Sequence, residues 1–250
     1  TPLPGAQDLV RTHSDACFYV TNNASRSARE VAEHLADLGF IADPGQIITS
    51  AQVGARLVAD RVAAGSAVLV VGSDSLRDEI AGVGLVPVHS ADDDPAAVIQ
   101  GHSPETGWAQ LSEAALAVRR GALWIATNTD TTLPTERGLL VGNGSMVAAV
   151  ATATETDPVV AGKPAAPIMR EVLARSRSRR PLMIGDRLDT DVLGAQRFGM
   201  SAALVLTGVE TASSAAAAAL PDAAVFDDLV SLAGAWDEAL VVGAERGGRR

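Results

Sequence analysis

Seven short apolar runs, set apart by stretches of helical periodicity, limit what this chain can fold into more than any other feature of it. The runs are Phe18–Val20, Ala67–Val71, Ala97–Ile99, Leu123–Ala126, Pro158–Ala161, Pro181–Ile184 and Ala202–Leu206. Each is long enough for a buried strand and too short for a helix. Between most of them lie amphipathic patterns. In Ala28–Leu38, Val31, Leu35 and Leu38 share one face, Ser27 stands where a cap is needed and Gly39 where a helix stops. Strands alternating with helices predict an α/β fold with a parallel sheet.

Composition sets the bounds. The 250 residues are 47% hydrophobic, enough for one large domain or two small ones. A net charge of −10 argues against nucleic acid or a membrane surface as partner, and leaves room for a local pocket that takes a small anion. The single cysteine, Cys17, has no internal disulfide partner and no zinc-ligand spacing around it. There is no run of eighteen apolar residues and no signal peptide at the start of the chain as given, so a cytoplasmic setting is expected. Ala212–Leu220 reads as a surface helix or loop, and the tail Gly243–Arg250 is expected to fray.

Three strand ends carry chemistry. After Leu182–Ile184 comes Gly185-Asp186-Arg187-Leu188-Asp189-Thr190-Asp191, three carboxylates within six residues, followed by a helical pattern from Asp191 to Phe198. Hard oxygen ligands at the carboxyl end of a strand suit Mg²⁺, although an Asp-rich turn in which Asp189 caps the helix gives the same string. Phe18–Val20 runs into Thr21-Asn22-Asn23-Ala24-Ser25-Arg26-Ser27, where hydroxyl, amide and N–H donors precede a helix: an oxyanion cradle, or a turn with an N-cap. Val159–Ala161 leads to Gly162-Lys163-Pro164 and a helix expected from about Ala165 to Ala174. A cation just before a helix N-terminus is disfavoured by the macrodipole, which a phosphoryl oxygen or an aspartate would offset; a solvated surface lysine is the alternative.

In this order the three segments resemble the haloacid dehalogenase-like hydrolases, whose second motif is a strand-terminal Ser/Thr, third a Lys and fourth an acidic pair. Thr21–Ser27, Gly162–Pro164 and Gly185–Asp191 look most like the subgroup of nitrophenylphosphatases and of phosphoglycolate, glycerol 3-phosphate and pyridoxal phosphatases. The resemblance spans nearly the whole chain, up to Val225–Leu229. It implies a Rossmann-like core with a parallel sheet, here residues 1–62 and 157–250, and a smaller inserted α/β cap, residues 63–156.

The same resemblance implies Mg²⁺-dependent hydrolysis of a small phosphomonoester through an aspartyl-phosphate. Asp186 would ligate the metal, with Asp191 supporting it and Asp189 a weaker candidate. Thr21 and Asn22, and Asn23 less strongly, would hold phosphoryl oxygens, and Lys163 would neutralise their charge. The family's first motif, the Asp-x-Asp that supplies nucleophile and general acid, should lie upstream of Pro2–Ala6. Asp92-Asp93-Asp94 precedes Pro95 in an expected loop, and Asp189-Thr190-Asp191 belongs to the metal motif, so neither replaces it. Loss of that segment from the chain as given is the favoured explanation, and a catalytically silent regulatory or binding protein is the rival.

The cap would choose the leaving group. Asn128, Asp130 and Leu133 lie in a stretch of short polar side chains without an aromatic ring, which suits a small polyol phosphate, or else simply makes a turn. Glycerol 3-phosphate is the first expectation; phosphoglycolate, pyridoxal phosphate and nucleotides stay open, as does a homodimer. Ala67–Val71 before Gly72-Ser73-Asp74 resembles the opening of a dinucleotide fold but lacks the glycine spacing it needs.

Overall fold

A computed structural model describes residues 1–217, 223–236 and 239. The tail Gly243–Arg250 and the end of the Ala212–Leu220 segment lie outside the described residues; Ala212–Ala217 is helical. Two compact units emerge, one of Val20–Val31 and Ile47–Gly162, the other of Thr1–Tyr19, Ala32–Gln46 and Lys163–Arg250. This division runs differently from the expected 63–156 insert. The helix Ser50–Ala59 joins the larger unit because it lies on that unit's sheet: a Cβ on Gly54 would sit 3.0 Å from Ile99 Cδ1 and 3.7 Å from both Thr127 and Ala161.

The larger unit holds β1 (Tyr19–Thr21, whose first residue falls in the other unit), β2 (Ile47–Thr49), β3 (Ala67–Val71), β4 (Val86–Val88), β5 (Ala97–Gln100), β6 (Leu123–Ala126), β7 (Thr132–Thr135), β8 (Gly138–Val141) and β9 (Val159–Val160). Five of these form one sheet in the order β4-β3-β5-β6-β9, and every pairing is parallel. The two-residue period of the strands sorts their side chains. Leu69, Val71, Val98, Trp124 and Ala126 meet Ala114, Ala117, Val118, Val147 and Val150, contributed by the helices Trp108–Arg119 and Asn143–Thr154. β1 pairs with β2, and β7 with β8 as an antiparallel hairpin.

The smaller unit is built on a parallel sheet, β10 (Leu182–Gly185), β11 (Ser201–Val205) and β12 (Ala223–Phe226), with β11 in the middle. Every residue of β11 is buried, as a strand covered on both faces requires. Ala203 and Val205 pack with Leu9 and Leu232, and the His13 ring stacks on Trp236 at 4.1 Å between centroids. The expected helix over Ala28–Leu38 forms as Ala28–Asp37. Ser27 and Glu30 cap it reciprocally: the Glu30 N–H donates to Ser27 Oγ at 3.2 Å, and the Ser27 N–H to Glu30 Oε2 at 2.6 Å. The helix expected over Asp191–Phe198 starts earlier and stops sooner, as a π-helical turn at Leu188–Val192 followed by Leu193–Gln196. No helix among the described residues is long and apolar enough to cross a membrane.

Candidate active site

The segment after β1 is held by its own short side chains. The Asn23 N–H donates to Thr21 Oγ1 at 3.0 Å, and the Ser25 N–H to Asn23 Oδ1 at 2.7 Å. Thr21 Oγ1 therefore acts as an acceptor within the turn, and its own proton has no acceptor among the described residues. Asn23 is exposed. Asn22 is the most restrained of the three. Its carbonyl accepts from Ser50 Oγ at 2.7 Å and Asn128 Nδ2 at 2.8 Å, and its Nδ2 donates to Asp130 Oδ2 at 3.1 Å.

Asn128 and Asp130 thus stand in the same unit as the Thr21–Asn23 turn and in contact with it. Asn128 is only 5% exposed, and its Oδ1 accepts from the Asp130 N–H at 3.2 Å. Behind it, buried Asn143 donates from Nδ2 to the Asn128 carbonyl at 2.7 Å. Gly142 and Gly144 let the start of the Asn143–Thr154 helix pass against the backbone of Thr129–Thr132, where a Cβ on either would overlap a carbonyl oxygen. Leu133 lies on the β7–β8 hairpin, all of which is exposed.

In the smaller unit Lys163 Nζ donates to Asp191 Oδ1 at 2.7 Å. The anion that a lysine before the Ala166–Ser176 helix calls for is thus an aspartate of the same unit. The other oxygen of Asp191 accepts the Arg187 N–H at 3.2 Å. Gly185 is required beneath it, since a Cβ there would overlap the Asp191 carboxylate. Asp186 follows directly on β10, accepting the Val209 N–H on Oδ2 at 3.0 Å, while its Oδ1 has no partner among the described residues. Asp189 is engaged locally: its side chain is 66% exposed, it lies beside Arg187, and its Oδ1 accepts the Thr190 N–H at 2.8 Å. The three acids of the motif do not gather as one ligand set, and among the described residues no three His, Cys, Asp or Glu side chains do.

Several participants carry no signal in the sequence. The Glu210 N–H donates to the Asp186 carbonyl at 3.3 Å, and its carboxylate accepts the Leu188 N–H at 3.4 Å and Ser214 Oγ at 2.6 Å, bracing the acidic turn from a loop about twenty residues away. Gly208 must be glycine because a Cβ would overlap the Asp186 carboxylate. Ser50 and Asn143 hold the Asn22–Asn128 contact from helix starts, where Ser and Asn are also ordinary residues.

Comparison with known proteins bears on this geometry. A family model described as haloacid dehalogenase-like hydrolase matches residues 1–86, and one described as HAD-hydrolase-like matches residues 160–232. The D-glycerol 3-phosphate phosphatase of Mycobacterium tuberculosis is 57% identical over 212 residues, which are 84% of this chain and 60% of that protein. An acid sugar phosphatase of Staphylococcus saprophyticus is 35% identical over 215 residues, 85% of this chain and 82% of its own length. Among solved structures, the glycerol phosphate phosphatase of M. tuberculosis in complex with magnesium superposes with a TM-score of 0.88 at 52% identity, covering 93% of this chain and 71% of that one. The p-nitrophenyl phosphatase of Archaeoglobus fulgidus gives 0.85 at 29% identity, covering 94% and 93%.

Proposed function

This chain belongs to the haloacid dehalogenase-like hydrolases, and from that premise we propose that it serves a Mg²⁺-dependent phosphatase activity toward glycerol 3-phosphate. The observation that carries the reading is the strand-end arrangement in the smaller unit. Asp191 is occupied by Lys163, and Asp186 keeps one carboxylate oxygen without a partner. A hard cation that retains several waters and takes one or two carboxylates fits that donor set, with Asp186 as its protein ligand. The solved relative that carries magnesium supports the same reading.

When bound, Mg²⁺ would screen the approach of an anionic nucleophile to the phosphate and stabilise charge as it develops. The chain's own residues do the rest of what is assigned to them. Lys163 carries positive charge for the phosphoryl oxygens and is held by Asp191. The Thr21 hydroxyl, with its proton uncommitted, donates to a phosphoryl oxygen, and the exposed Asn23 amide assists. Asn22 is shaped by Asp130 and by the two donors on its carbonyl. The nucleophile and general acid belong to the family's Asp-x-Asp, for which this sequence offers no strand-end candidate beyond the acidic motif itself. Residues 63–156 are assigned the choice of leaving group, with Asp130 and Leu133 nearest to that task.

Glycerol 3-phosphate comes first because of the 57% identical relative; a sugar phosphate is the second reading, carried by the 35% identical one. The polypeptide read from the complete gene, assayed with both substrates in Mg²⁺ and in excess chelator, is expected to favour glycerol 3-phosphate and to lose turnover without the metal. Asp186→Asn should remove most of that activity. Undiminished turnover in chelator, or in Asp186→Asn, would sink the assignment.

A further inference from the structure

We infer that Asn128 is a positioning residue for the Thr21 hydroxyl and acts on it through the peptide between Asn22 and Asn23; the inference rests on the phosphatase reading above. Three observations meet at that one peptide. Its carbonyl accepts from Asn128 Nδ2 at 2.8 Å and from Ser50 Oγ at 2.7 Å, and its N–H donates to Thr21 Oγ1 at 3.0 Å. A peptide is planar, so two donors that fix its C=O also fix its N–H. The N–H in turn occupies an acceptor direction of Thr21 Oγ1. The hydroxyl proton is directed elsewhere, toward whatever oxygen is presented to the turn.

The donor that sets this geometry is itself held. Asn128 is buried, Asn143 Nδ2 donates to its carbonyl at 2.7 Å, and its Oδ1 accepts the Asp130 N–H at 3.2 Å. The Asp130 N–H, the Asn128 side-chain amide, the Asn22–Asn23 peptide and Thr21 Oγ1 run in one donor-to-acceptor sense, while Asn143 holds the Asn128 backbone. Each bond polarises the next, so a donor that touches no substrate strengthens the hydroxyl that does. This role differs from direct reading of the leaving group, which would need the Asn128 amide to be exposed and uncommitted.

A double-mutant cycle separates the relay from simple support of the fold. Asn128→Ala should lower kcat/KM about tenfold or more in the wild-type background and less than about threefold in Thr21→Val, whose hydroxyl is already gone. Equal losses in both backgrounds would overturn the inference. Asn128→Asp, of the same shape, puts an acceptor opposite the Asn22 carbonyl and should be at least as damaging as Asn128→Ala, so it serves if the alanine variant does not fold. Amide hydrogen exchange gives a readout free of activity: the Asn23 N–H should exchange faster in either variant, and an unchanged rate counts against the relay. If the wild-type protein hydrolyses no phosphomonoester, the phosphatase reading fails on its own. The cycle is then read on the Kd for inorganic phosphate, together with the Asn23 exchange rate.

Discussion

Lys163 and Asp191 keep only 16% and 5% of their side-chain surfaces exposed while bonded at 2.7 Å. Removing one partner of such a pair strands the other charge away from water, which typically costs about 3–5 kcal/mol. Lys163→Met is therefore expected to lower stability by an amount of that order as well as to cut kcat by roughly a hundredfold or more. Adding Asp191→Asn should restore much of the stability and none of the turnover, which denaturant unfolding beside steady-state kinetics would show. In the sequence, Lys163 before a helix already asked for an anion. Whether that anion was a ligand or an aspartate was not legible, because the partner lies 28 residues on and only the turn at Arg187–Asp191 brings it round. Tyr19 gives a pH test. Burial, and then the neighbouring Cys17, pushes its phenol from 10 up to about 12. Between those values the unfolded chain has released a proton that the folded chain retains. Stability is then complete below about pH 10 and falls as pH rises through the window. Tyr19→Phe should flatten that part of the stability profile.

At the scale of elements, all seven apolar runs became strands, the partly exposed β1 and β9 among them, whereas β2, β4, the β7–β8 hairpin and β12 were not anticipated. β3 and β6 form over the predicted residues, and β5, β10 and β11 within a residue of them, because a covered parallel strand must be a continuous apolar run. β4 escaped notice: it carries Pro87 and lies at the sheet edge, where a missing N–H is tolerated. The β7–β8 hairpin escaped because every residue of it is exposed, so no alternation marks it. The candidate site divides in the same way. Thr21, Lys163 and Asp186 stand at strand ends and could be read, whereas Ser50, Asn143 and Glu210 act through contacts across many residues. Leu133 on the hairpin is the cleaner probe of specificity, since Asp130 also holds Asn22. Leu133→Ala should shift the ratio of kcat/KM between glycerol 3-phosphate and an aryl phosphate by more than about tenfold, or about 1.4 kcal/mol. Equal loss on both substrates would make the hairpin structural.

Across the whole molecule, each unit is assembled from separated stretches of chain. Residues 20–31 and 47–162 make up the larger unit, whereas the smaller one draws on 1–19, 32–46 and everything from 163 onward. A fragment ending at Gly162 contains every part of the larger unit and is expected to show a cooperative unfolding transition by circular dichroism; a gradual, non-cooperative change would mean that the larger unit needs the rest of the chain. The reverse fragment, from Lys163, lacks the helix Ala6–Thr12 whose Leu9 packs with Ala203 and Val205. That contact bears on how the protein is made. A ribosome emits Leu9 first and its β11 partners roughly 190 residues later, an interval of about 10–40 s at ordinary translation rates of about 5–20 residues per second. Through that interval the five-stranded sheet can close while the helix Ala6–Thr12 waits, its Leu9 uncovered, for a strand not yet synthesised. The nascent chain thus has a built-in period of exposure at the Ala6–Thr12 helix, the place where a holding chaperone would have most to do.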